Sequence, residues 1–186
     1  IRTVGLYSPS MVLTNGDLEK ILAASGSETS GAWIVERTGI HRRCVASKSE
    51  TLEVMAVEAA RDAFDKLTLD IPPVEHIIFA TNTGTQPFPN FAGYVHSEMF
   101  KSHPSKISQN ASGVDIGAGC GGINLALMDA DCLLMRGQFE NVLVIGAEKL
   151  SEVTDYSERE TCILFGDGAS AYIISRNSLN PDFGFR

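Results

Sequence analysis

The chain has 186 residues, 44% of them hydrophobic and 20% charged, with a formal net charge of −8. This length and apolar share suit a soluble globular protein with its own core, and the acidic balance argues against a nucleic-acid-binding face. No apolar run reaches the length of a membrane span, no basic-then-apolar leader opens the chain, and the four cysteines form no CxxC pair; reduced thiols in a cytoplasmic protein without a metal site are expected.

In chain order, Thr3 to Tyr7 reads as a strand, and Asn15 or Asp17 is placed to cap a short helix through Leu22. The one basic cluster, Arg37, His41, Arg42 and Arg43, is either a solvated turn or a patch suited to a small phosphorylated ligand. Thr51 opens a stronger helix in which Leu52, Met55, Ala56, Ala59, Ala60, Ala63, Phe64 and Leu67 form one apolar stripe. Pro72-Pro73 breaks it, and His76 to Ala80 follows as a strand. Pro87 to Phe91 opens another helix, running through Tyr94 and Met99 to Phe100. Val114 to Ile116 reads as the end of a strand. Beyond it Ile123, Ala126, Leu127, Ala130, Leu133 and Leu134 recur at helical spacing, with Gly137 as a stop. Asn141 to Ile145 reads as a strand buried on both faces, and Ala169 to Ile174 closes the series. The segment from Thr161 to Ser175 follows a polar loop and is free to run antiparallel, and Asn180-Pro181-Asp182 reads as the start of a connection. Strands alternating with helices predict an α/β fold with a mostly parallel, mixed sheet and helices on both faces.

The chemistry concentrates at Gly117-Ala118-Gly119-Cys120-Gly121-Gly122. The thiol lies where a strand turns into a helix. Free N–H groups and the positive end of a helix dipole favour a thiolate there, and a lowered pKa makes a cysteine nucleophilic. Neighbouring glycines let a substrate carbonyl approach backbone amides. The same stretch also suits a small buried cysteine in a Gly-rich turn. Trp33, the only tryptophan, lies beside basic residues; an indole can stack on a purine while a guanidinium pairs with phosphate, or it can anchor a core.

Four segments then agree in order: Trp33-Ile34-Val35-Glu36-Arg37-Thr38-Gly39-Ile40 with Arg43 beyond, the turn Pro87-Phe88-Pro89, Asp115 to Gly122, and Phe165-Gly166-Asp167-Gly168-Ala169 preceded by Arg159. In these the chain resembles the β-ketoacyl-acyl-carrier-protein synthase III family of thiolase-fold condensing enzymes. The resemblance implies a thiolase-like fold of two similar βαβ-rich halves, of which residues 1–186 look like the N-terminal one. It implies that Cys120 is the nucleophile, and that the family's catalytic histidine and asparagine come from a second half; His41, His76, His96 and His103 match neither. It places Trp33, Arg37 and Arg159 at the adenine end of coenzyme A. Phe88 is implied to reach across a homodimer interface to the partner's acyl pocket, and Phe165 to line the acyl site. The expected partners are acyl-CoA, as a substrate and not a bound cofactor, and acyl carrier protein.

Two positions depart from the family pattern. His41 stands where the best-known members carry arginine, which predicts weaker coenzyme binding, and Gly119 where many have alanine, which predicts a looser elbow or a different acyl group. Other readings are a non-catalytic dimerisation partner, an acyltransferase or thioesterase on the same fold, and a hydroxymethylglutaryl-CoA synthase-like enzyme.

Overall fold

A five-stranded sheet organises the chain in a computed structural model that describes residues 1–86 and 88–176. In order along the chain, β1 is Thr3–Tyr7, β2 Met11–Thr14, α1 Asn15–Ala24, α2 Gly31–Thr38, β3 Arg42–Val45, α3 Leu52–Asp65 and β4 Val74–Ala80. Then come α4 Phe91–Ser102, β5 Ile107–Ile116, α5 Gly122–Met135, β6 Asn141–Lys149, α6 Arg159–Cys162 and β7 Asp167–Ser175. The large sheet has the order β1-β7-β6-β4-β5. β4 runs parallel to both β5 and β6, and β7 runs antiparallel to β1, so the sheet is mixed. β2 and β3 form a separate antiparallel pair.

The chain divides into two compact units, each assembled from separated segments. The first comprises Ile1–Tyr7, Leu52–Ala147 and the chain from Ala169 on; the second comprises Ser8–Thr51 and Glu148–Gly168.

In the first unit, alternation along the strands sends side chains to two layers. Ile78, Ala80, Val142, Val144 and Ile174 pack with Ala126, Ala130 and Leu134 of α5. On the opposite face, Phe79 stacks on Phe91 of α4, with ring centres 5.3 Å apart. On that face too, a Cβ on Gly5 of β1 would lie only 2.1 Å from the Ala59 carbonyl oxygen of α3. Helices therefore cover both faces, as the alternation predicts. Asn141 to Ile145 is buried throughout, as expected for a central strand.

In the second unit, Leu18, Leu22 and Ile34 pack with Cys162 and Ile163, and Leu13, Trp33 and Tyr156 close over them.

Several boundaries differ from expectation. The cap of α1 is Thr14, not Asn15 or Asp17: Thr14 accepts from the Asp17 N–H, and the Asp17 carboxylate accepts from the Thr14 N–H, a reciprocal capping box. α4 starts at Phe91 with Asn90 as its cap, later than the proline turn suggests; Pro87 itself lies outside the described residues. β5 is a ten-residue strand of which the sequence displays only the end, because its outer positions are polar. The Asn180-Pro181-Asp182 connection also lies outside the described residues.

Candidate active site

The elbow stands at the carboxyl ends of two parallel strands. β4 ends at Ala80 and β5 at Ile116, with the Thr81 N–H bonded to the Ile116 carbonyl at 3.1 Å. Beyond Ile116 the chain makes one tight turn, Gly119–Gly121, and runs into α5 at Gly122. Crevices outside the carboxyl ends of parallel strands are where open α/β sheets bind ligands. Cys120 sits in this turn and is exposed, which removes the alternative of a small buried cysteine.

Polar side chains hold the elbow from below. The Asp115 carboxylate accepts from the Phe91 and Ala92 N–H groups at 2.7 and 2.9 Å, satisfying two free amides in the first turn of α4 and tying the end of β5 to it. Asn82, just past β4, accepts from the Gly119 N–H at 3.0 Å and donates to the Gly119 carbonyl at 3.2 Å. Gly119 has φ +56°, the left-handed region where a side chain is strained, so glycine suits the turn. The sequence shows both polar residues at strand ends but not their partners, which lie 23 to 37 positions away.

The other three cysteines are in different settings. Cys162 is wholly buried, and burial pushes its thiol pKa up, which keeps it protonated and inert. Cys44 is half-buried in β3, and Cys132 is exposed well along α5, away from the free amides of the helix start. Among the described residues no group of three or more His, Cys, Asp or Glu is arranged to hold a metal ion.

In the second unit the structure brings Trp33, Arg37 and Arg159 together. Ser30 caps α2 by accepting from the Trp33 N–H at 3.2 Å. One turn on, the Arg37 guanidinium carbon lies 5.3 Å from the centre of the indole, and that of Arg159 lies 4.4 Å from it. Both distances are in cation–π range. Arg159 is steadied by donating to the Glu28 carbonyl at 3.0 Å. Trp33 also packs against the core of its unit, so the anchoring and stacking roles coexist in one side chain.

The basic cluster is smaller than the sequence suggests. Arg43 is 6% exposed and spends its guanidinium on Asn15 Oδ1 at 3.0 Å, the Ile163 carbonyl at 2.8 Å and the Leu13 carbonyl at 3.4 Å. It is an internal strut, not a phosphate contact; Arg37, His41 and Arg42 remain exposed. Asp167 is likewise structural. It is buried and accepts from the Ala46 N–H at 2.7 Å, the Ser151 N–H at 2.8 Å and the Ser151 hydroxyl at 2.6 Å. A Cβ on Gly166 would lie 2.9 Å from the Cys44 carbonyl oxygen, which accounts for one glycine of that turn.

Phe165 is half-buried between α6 and β7 in the second unit. Phe88, between β4 and α4 in the first, is 86% exposed.

The family model for 3-oxoacyl-[acyl-carrier-protein (ACP)] synthase III matches residues 114–185, which include the elbow. The chain is 43% identical over 181 residues to the β-ketoacyl-[acyl-carrier-protein] synthase III of Aquifex aeolicus, covering 96% of this chain and 53% of that protein. It is similar to the crystal structure of the synthase III from Thermus thermophilus, with a TM-score of 0.86 and 35% identity over all of this chain and 53% of that one. It is also similar to the priming β-ketosynthase of the R1128 polyketide pathway, with a TM-score of 0.84 and 28% identity over 96% of this chain and 50% of that one. The chain spans about half the length of the curated relatives it matches.

Proposed function

We propose that this chain, which belongs to the 3-oxoacyl-[acyl-carrier-protein] synthase III family, is the acyl-accepting half of a condensing enzyme. The observation that carries the reading is the exposed Cys120 in the one turn that joins β5 to α5. In the proposed mechanism the Cys120 thiolate attacks the carbonyl carbon of an acyl-CoA thioester. The negative charge that develops on the carbonyl oxygen is stabilised by the Cys120 N–H and by a donor from the second half of the protein. The tetrahedral intermediate collapses, the carbon–sulfur bond to coenzyme A breaks, and the coenzyme leaves as a thiolate that takes up a proton. The acyl group stays on Cys120 as a thioester.

In the second step a malonyl thioester loses carbon dioxide. The electron pair of the broken bond becomes a carbanion that attacks the acyl-enzyme carbonyl, and Cys120 is released as the thiolate. The product is a 3-oxoacyl thioester for fatty-acid or polyketide-type synthesis. The histidine and asparagine of this step belong to the second half, and acyl carrier protein is the expected carrier of the extender. Coenzyme A takes part only as the thioester substrate, bound with its adenine end at Trp33, Arg37 and Arg159.

A homodimer in the cytoplasm accompanies this reading. Among the described residues no helix is long and apolar enough to cross a membrane. β5 is an outer strand of the sheet with exposed apolar Val114, and Phe88, between β4 and α4, is exposed as well. An uncovered sheet edge with apolar neighbours favours pairing with a second copy. A stable monomer of the full-length protein at micromolar concentration would count against the dimer.

The test of the acyl-transfer reading is to incubate the full-length protein with a short acyl-CoA. One acyl mass should appear, mapped to the peptide that contains Cys120, and Cys120→Ala should abolish it. Label on Cys44, Cys132 or Cys162 instead overturns the assignment. Acyl transfer to water or another acceptor without condensation points to an acyltransferase or thioesterase.

A further inference from the structure

We propose that Asn82 is a positioning residue that fixes the peptide plane between Gly119 and Cys120, and so aims the Cys120 N–H at the oxygen of a bound thioester. The first clause concerns the backbone alone; the second rests on the acyl-transfer reading.

The carboxamide of Asn82 exchanges two hydrogen bonds with one residue. Its oxygen accepts from the Gly119 N–H at 3.0 Å, and its nitrogen donates to the Gly119 carbonyl at 3.2 Å. This is the two-bond exchange of a hydrogen-bonded pair in an antiparallel sheet, with a side chain in place of the neighbouring strand. The Gly122 N–H meets the same carbonyl from the helix side, so that oxygen is gripped twice.

The consequence follows from peptide geometry. The Gly119 carbonyl and the Cys120 N–H belong to one planar trans unit and point in opposite directions. Holding the carbonyl toward Asn82 therefore holds the Cys120 N–H away from it. Without that grip the carbonyl keeps its bond from the Gly122 N–H, but the unit can swing more widely about it, because Gly119 has no side chain and nothing lies within 4 Å of where its Cβ would be. An oxyanion donor contributes most when it is already aimed before charge develops. Asn82 thus offsets the looseness that glycine at position 119 otherwise brings to the elbow.

The experiment uses the full-length protein in three forms: unaltered, Asn82→Ala and Asn82→Asp. The second variant preserves the acceptor for the Gly119 N–H but sets a carboxylate oxygen against the Gly119 carbonyl, so it tests the plane without emptying the site. Three quantities are read: hydrogen exchange of the Gly119 amide, single-turnover acylation of Cys120 by acetyl-CoA, and alkylation of Cys120 by iodoacetamide. Alkylation is a displacement at saturated carbon and forms no oxyanion. In Asn82→Ala, Gly119 exchange should rise at least about tenfold, since its acceptor is gone. In both variants acylation should fall at least about tenfold, and alkylation should change less than about threefold. Unchanged Gly119 exchange in Asn82→Ala overturns the proposal, and so does an equal loss of acylation and alkylation. If the unaltered protein takes up no acyl group, the acyl-transfer reading fails and takes the oxyanion clause with it, while the exchange result still decides whether Asn82 grips Gly119.

Discussion

The guanidinium carbon of Arg159 lies 4.4 Å from the centre of the Trp33 ring, although the two residues come from the two separate segments of their unit. A purine between two such partners needs about 7 Å, two contact separations of about 3.5 Å. If adenine stacks between these two residues, as proposed, Arg159 has to move away from the indole to admit it. Binding should change the fluorescence of this single tryptophan. Arg37→Ala should weaken it by about 1–3 kcal/mol, the range for losing a charge-assisted hydrogen bond. Added salt should weaken it too, because a guanidinium–phosphate contact near the surface is screened. Titration of the full-length protein with coenzyme A checks this, and unaltered affinity in both Trp33→Ala and Arg37→Ala would remove the site.

Asp167 is expected to matter for stability and not for chemistry. Its carboxylate satisfies the Ala46 and Ser151 N–H groups and the Ser151 hydroxyl inside the second unit. Asp167→Ala leaves these donors unpaired, at a cost of roughly 2–4 kcal/mol. A thermal melt should show the midpoint lowered by several degrees. A variant with an unshifted melt and lost activity would reverse the assignment and make Asp167 a residue of the site.

Two glycines should respond differently to alanine. At Gly119 the added Cβ meets nothing, so the cost is the left-handed backbone alone, about 1–2 kcal/mol. At Gly5 the Cβ would lie 2.1 Å from the Ala59 carbonyl oxygen and 2.3 Å from the Ala63 nitrogen, both backbone atoms that cannot move aside. Gly5→Ala should cost more than about 4 kcal/mol or fail to accumulate folded protein. Denaturant melts of the two variants side by side give the comparison, and equal losses would be the contrary result.

His76 makes folding sensitive to mild acid. Its ring stacks on Phe139 with centres 4.8 Å apart, Nδ1 lies 2.7 Å from the Ser112 hydroxyl, and burial holds its pKa below the ordinary 6.5. The unfolded chain therefore takes up this proton first as pH falls. Stability is full above about pH 6.5, declines as pH falls toward the lowered folded value, and levels off below it. The advantage of the unaltered protein over His76→Gln should shrink across that window. Melting temperatures measured from pH 7.5 to 5 test this, and a constant difference would exclude His76 as the source.

Much of this organisation is legible in the sequence because it is local. The stripe from Leu52 to Phe64 is α3, the Gly-rich step after Ile116 is the elbow, and Gly137, with φ +68°, ends α5 as a stop should. What is not legible depends on partners distant in sequence. β2 and β3 are four residues each, and three of the four positions in β2 are exposed, so neither carries a clear alternation. Arg43 reads as one more basic residue until Asn15 and the Ile163 carbonyl close around it. The roles of Asn82, Asp115 and Asp167 are equally silent, since a polar residue at a strand end looks the same whether it faces water or holds another segment.

The second unit has a consequence for the order in which the protein is made. Its core joins Leu18, Leu22 and Ile34 to Cys162 and Ile163, so the first part has to wait for the last. On the ribosome the segment from 8 to 51 emerges long before its packing partners, with its apolar side chains unsheltered while residues 52 to 147 are still being added. Nascent chains stalled before position 148 should be cut readily by protease within 8–51, and chains stalled well after 168 should resist. Synthesis from the amino end thus completes the second unit only once residue 168 has emerged, although that unit begins at residue 8.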